Sequence, residues 1–139
     1  MTDEIKIVYV AGKFTGKNSW EIHRNVFHAE SLGMAVADAG AMPLMPHANT
    51  AHFHGTVTDA FWYKGTLALL KRCDAMILVP GWEDSKGTRA EAEWARANGM
   101  PVFERVEELK AWLAGHAGEC TRIGCSHGLD SRCRGGPEL

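Results

Sequence analysis

The chain has 139 residues, of which 45% are hydrophobic and 23% charged, the values of an ordinary globular domain with enough length for one core. Its formal charge of −2 supplies no basic field for wrapping nucleic acid, so any nucleotide partner is expected to be a small molecule and not a polymer. No stretch approaches the length of a membrane span, and the start MTDEIKIVYV is acidic where an export signal is basic. The expectation is a cytoplasmic protein that engages no membrane and keeps its four cysteines as thiols or metal ligands.

The first element in chain order is IKIVYVA (5–11), a continuous apolar run of the kind found in strands buried on both faces. It leads into GKFTGKNS, which looks like a triphosphate-binding loop but is not one. Only Lys13, Phe14 and Thr15 separate Gly12 from Gly16, and Asn18 stands where the metal-binding hydroxyl belongs. What remains is a strand turning through glycine into a helix, a geometry that still suits a phosphate or a sugar. In SWEIHRNVFHAESLGMAVADAG (19–40), Trp20, Ile22, Val26, Ala29, Leu32 and Val36 follow a helical period, with Asn18 or Ser19 as cap and Gly40 as stop.

AMPLMP (41–46) carries two prolines and makes a poorer strand. The run PHANTAHFHG holds His47, His52 and His54, without a helix to align them or an acidic partner inside the run; His47 is expected on a substrate-side loop and the others in solvent. FWYKGTLALLKRCD (61–74) is the next helix, and AMILVP (75–80) a second buried strand with Cys73 packed beside it. SKGTRAEAEWARANG (85–99) reads as a helix capped by Ser85 and stopped by Gly99. PVFE (101–104) and VEELKAWLAGH (106–116) close the series as strand and helix.

This alternation, with no internal repeat, predicts an α/β domain over residues 1–116: a three-layer, doubly wound parallel sheet of about four to five strands with helices on both faces. Residues 117–139 are rich in Cys, Gly and Arg, have no periodic apolar face and read as a tail. There Cys120, Cys125, His127 and Cys133 meet the ligand count of a structural zinc site; the other reading is a flexible basic tail with free thiols. No cofactor is expected apart from that zinc.

In doubly wound sheets ligands bind beyond the carboxyl ends of the strands. Two loops leave apolar strands there, GKFTGKNS and GWEDSKGT. In the second, Gly81 turns the chain and Trp82 offers a flat surface for a base, while Ser85, Gly87 and Thr88 open a helix with unpaired backbone N–H groups. Glu91 lies about one turn inside. A carboxylate beside a sugar's anomeric carbon can stabilise an oxocarbenium-like transition state or attack it covalently. The alternative is that Glu91 is an ordinary solvated helix residue.

VYVAGKFTG, the Pro-His of residues 46–47 and CDAMILVPGW..S.GT..E...A...G.PV, in that order over about residues 5–104, resemble the nucleoside 2-deoxyribosyltransferase superfamily. The GW..S.G form is most similar to its small, often phage-borne members. The resemblance implies a nucleophilic role for Glu91 and a small-molecule nucleoside or nucleotide as ligand, bound by Tyr9, Gly12, His47, Ser85, Gly87 and Thr88. By their own chemistry Phe14 and Trp82 suit the base or sugar and Lys13 suits a phosphate, the alternative for Lys13 being a loop charge kept in water. The resemblance also implies a homo-oligomer. Ser85 matches the nucleoside 5′-monophosphate N-glycosidases, in which a serine at this position helps hold the phosphate. Thr66 departs from the pattern: the family has an aspartate there, which positions the sugar and manages the proton on the departing base. Asp59 and Asp84 are the nearby carboxylates that can replace it. With the aspartate absent, two readings stay open, a glycosyl-transferring or hydrolysing enzyme and a nucleotide-binding module without activity.

Overall fold

The computed structural model describes residues 4–50, 53 and 55–115. Its elements are β1 (Ile7–Ala11), α1 (Ser19–Ala39), β2 (Met42–Leu44), α2 (Pro46–Asn49), α3 (Asp59–Lys71), β3 (Ala75–Leu78), α4 (Lys86–Ala97), β4 (Val102–Phe103) and α5 (Val106–Ala114), with a 3-10 turn at Trp82–Asp84. The four strands form one parallel sheet in the order β2-β1-β3-β4, Val8 standing opposite Pro43 and Ala75. No described helix is long and apolar enough to cross a membrane.

The alternation of side chains along β1 and β3 divides the interior in two. Val8, Val10, Ala75, Ile77 and Val79 pack under α1 and α5. Tyr9, Ala11, Met76 and Leu78 point to the opposite face, against Leu70 of α3 and Ala92 and Ala95 of α4. The arrangement is the expected three-layer α/β architecture. Right-handed crossovers explain the division: the step from β1 to β2 runs one way across the sheet, and those from β2 to β3 and β3 to β4 run the other, so α1 lies on one face and α3 and α4 on the other.

Local chemistry sets the element ends. Asn18, rather than Ser19, caps α1: its Oδ1 accepts from Glu21 N at 2.9 Å while Glu21 Oε1 accepts from Lys17 N at 2.8 Å. Gly40 ends the helix at φ 108°, a left-handed conformation that favours glycine. The expected apolar face of α1 is only partly covered, since Ala29 and Val36 are buried but Trp20 is 65% exposed. The strand expected over 41–46 narrows to three residues, and Pro46 instead starts the unexpected short helix α2, where its fixed φ and missing N–H cost nothing. The helix expected over 61–74 runs from 59 to 71, because Thr58 Oγ1 caps it by accepting from Phe61 N at 3.2 Å. Asp59 thereby becomes its first residue.

Candidate functional site

The chain leaves β1 toward β2 on one side and returns to β3 on the other. The order therefore reverses between these two strands, and their carboxyl ends diverge into a crevice. A cavity of about 490 Å³ lies there. Gly12 permits the close packing of its floor: a Cβ at this position would sit 2.7 Å from Cβ of Val79, the residue that follows β3.

Alternation directs Tyr9 toward α3 and α4. Its phenol is fully buried and donates to Glu91 Oε2 at 2.7 Å, a bond between residues 82 apart in sequence. Burial raises the Glu91 pKa above 4.5 and the Tyr9 bond lowers it, with burial the larger effect. Tyr9 itself is pushed far up, first by burial and then by the Glu91 charge. The phenol therefore stays a donor, and one oxygen of Glu91 is held while the carboxyl lines the cavity.

Opposite the strands, the start of α4 forms one wall. Ser85 Oγ accepts from Thr88 N at 3.2 Å and from Thr88 Oγ1 at 3.0 Å. With both lone pairs engaged, its own proton is what remains to offer. Helix geometry leaves the N–H groups of Lys86 and Gly87 without intrahelical acceptors, and both residues line the cavity. This end can hold an oxygen-rich group, a sugar or a phosphate.

The other end is aromatic. Phe14 stacks on His47 at 4.9 Å between centroids, and Phe53 on Trp62 at 5.8 Å. Burial lowers His47 to about 4, so the ring is neutral at pH 7. Its Nδ1, like Trp62 Nε1, is buried without a hydrogen-bond partner, as suits an uncharged ring more than a protonated one. Asp59, Trp62, Tyr63 and Thr66 reach this end from one face of α3. Thr66 donates to Tyr63 O at 3.0 Å, and its hydroxyl also lies near enough to the Tyr9 phenol to favour that group's ionised form.

Of the residues singled out in the sequence, Tyr9, Gly12, Phe14, His47, Asp59, Asp84, Ser85, Gly87, Thr88 and Glu91 converge on this cavity. Two do not. Lys13 belongs to the loop after β1 but does not line the cavity. Trp82 was expected as a surface for a base; instead the 3-10 turn carries its indole onto the core beside α4, where the Arg96 guanidinium lies 5.9 Å from its ring centroid. Cys73 is a packed thiol as expected, donating to Leu69 O at 3.4 Å and raised by burial to about 11. Among the described residues no cluster of three or more His, Cys, Asp or Glu is arranged to hold a metal. His52, His54 and the candidate zinc ligands Cys120, Cys125, His127 and Cys133 lie outside the described residues. The sequence reading brought Asp59 and Thr66 of α3 to the site but missed Trp62 and Tyr63. Their signal was present in the positions of Asp59, Trp62, Tyr63 and Thr66, spaced to share one helix face.

A family model described as a domain of unknown function, DUF4406, matches residues 6–104, and the chain belongs to that family. No curated protein matches it. Among solved structures it is similar to a 2-deoxyribosyltransferase from the psychrotolerant bacterium Bacillus psychrosaccharolyticus. That similarity has a TM-score of 0.57 and 16% identity, covering 75% of this chain and 90% of that one. The likeness is one of fold.

Proposed function

We propose that this DUF4406 chain hydrolyses or transfers at the N-glycosidic bond of a nucleoside or nucleoside 5′-monophosphate, with Glu91 as nucleophile. The observation that carries the reading is the Tyr9–Glu91 pair. A half-buried carboxyl lining a cavity at the strand-order reversal is held by one 2.7 Å donor, which keeps it ionisable against the effect of burial. The fold shared with a 2-deoxyribosyltransferase and the Ser-x-Gly-Thr-x-x-Glu resemblance support the same chemistry.

In this mechanism the sugar lies against Glu91, with its 5′ substituent toward Ser85 and the N-terminus of α4. A Glu91 carboxylate oxygen attacks the anomeric carbon and the C–N bond breaks, its electron pair leaving with the base. Water or a second base then attacks the same carbon and releases Glu91, and the proton it loses balances the one the departed base takes up from solvent. Tyr9 stabilises the carboxylate before attack and again on its release.

The test is incubation of the purified chain with nucleosides and their 5′-monophosphates, followed by chromatography for free base. Free base from wild type and none from Glu91→Gln is the expected result; equal release by both overturns the assignment. Thr66 favours a second reading, a binding module without turnover, because it brings no carboxyl to the wall where the resembling family has an aspartate. Calorimetric binding of a monophosphate with no base released by wild type is the outcome that selects it.

A further inference from the structure

The aromatic end of the cavity has a charge pattern that the glycosidic reading does not use. Its walls are rings: Phe14 on His47, Phe53 on Trp62, and Tyr63. Its charged side chain is Asp59, in the first turn of α3, and Lys86, the one ammonium among the lining residues, belongs to the opposite end at α4. His47 brings no charge there at neutral pH. Among the described lining residues the carboxyl groups are Asp59, Asp84 and Glu91, against that single lysine. Ring faces together with a carboxylate, with no cation beside them among the described residues, attract a positively charged flat group.

A second, independent feature concerns the proton. A purine or pyrimidine that leaves as an anion needs an acid beside its ring nitrogen. Thr66 cannot fill that role, since its hydroxyl proton is already given to Tyr63 O at 3.0 Å and a threonine does not titrate. Tyr9, whose proton faces Glu91, holds it too tightly to release it. Neither of these two hydroxyls, on Thr66 and Tyr9, therefore serves as that acid, and a leaving group that needs no proton suits this part of the cavity.

We propose that the substrate is an N-glycoside of a cationic heteroaromatic base, a pyridinium or a ring-alkylated purine, carried on ribose or ribose 5-phosphate. This rests on the glycosidic reading above and narrows it. The step balances without an acid: Glu91 forms the new C–O bond, the C–N electron pair returns to the ring nitrogen and cancels its positive charge, and the base departs neutral. Water then displaces Glu91 from the anomeric carbon and gives one proton to solvent. Asp59 stabilises the cation in the ground state, and the aromatic walls suit both the charged ring and the neutral product.

The test compares nicotinamide mononucleotide and 7-methylguanosine 5′-monophosphate with adenosine, inosine, cytidine and uridine 5′-monophosphates, each rate taken relative to the uncatalysed rate of the same compound. The expected result is Glu91-dependent release from one or both cationic substrates, with a rate enhancement about tenfold or more above the neutral ones, a difference of about 1.4 kcal/mol. Which cationic substrate responds identifies the ring class. The rate should rise as Glu91 ionises and then stay level to alkaline pH, since no acid has to remain protonated. A binding arm uses reduced nicotinamide mononucleotide, close in size to the oxidised form but without the ring's positive charge. Wild type should hold the oxidised form more tightly, and Asp59→Asn should reduce that preference. Glu91-dependent release from neutral substrates with no cationic advantage overturns this inference and leaves the glycosidic reading standing. Absence of release from every compound overturns both.

Discussion

Replacing Tyr9 by Phe removes one oxygen atom, and with it the donor that Glu91 Oε2 meets at 2.7 Å. A hydrogen bond to a charged group is worth about 1.5–3 kcal/mol. Its loss raises the Glu91 pKa further above a value that burial has already raised. The sign of the stability effect follows from that direction. A carboxyl whose folded pKa lies above its unfolded value of 4.5 contributes fully below that pH, and its contribution is lost as pH rises through the folded value. Tyr9→Phe carries the loss to higher pH. The variant should therefore melt close to wild type at pH 4 and fall behind by about 1.5–3 kcal/mol at pH 9. Thermal unfolding of both proteins across that range, with an NMR titration of the Glu91 side-chain carboxyl carbon, measures it. A difference between the proteins that stays constant or shrinks as pH rises refutes the reasoning.

His47 gives the opposite slope. Its pKa falls from 6.5 to about 4, so its contribution is present above 6.5 and lost as pH drops toward 4, about 3 kcal/mol at about 1.4 kcal/mol per unit. His47→Gln should flatten the acid side of the stability curve, seen in melts from pH 7 to 4. Gly87 lines the cavity, and a Cβ there would meet no atom within 4 Å. Gly87→Ala should consequently leave the fold intact and raise stability by up to about 1 kcal/mol through helix propensity. The added methyl occupies the crevice, so the same variant should bind nucleotides more weakly by calorimetry.

The layers and the sheet were legible because β1 and β3 read as continuous apolar runs and α1 and α4 carry their own caps and stops. Element ends were less so. Thr58 and Pro46 act through single hydrogen bonds or a fixed φ, which hydrophobic periodicity does not register. Glu91, Ser85 and Gly12, which line the cavity, were singled out by a local motif and its family resemblance, both readable without knowledge of the fold. The Tyr9–Glu91 bond and the place of Trp62 and Tyr63 on the α3 face were not, because each depends on which side of the sheet a crossover takes. Trp82 failed for a related reason: a 3-10 turn rotates its indole out of the direction that an extended loop gives.

The central claim is a bond between Glu91 and the anomeric carbon, and trapping it is the most direct test. A 2′-fluoro-arabinonucleoside 5′-monophosphate slows the release of a glycosyl-enzyme by withdrawing electron density beside the reacting carbon. After brief incubation and acid quench, mass spectrometry should find one fluorinated sugar phosphate on the peptide that contains Glu91, and none on Glu91→Gln. Free base released with no adduct on wild type, or with the adduct on another residue, contradicts the account.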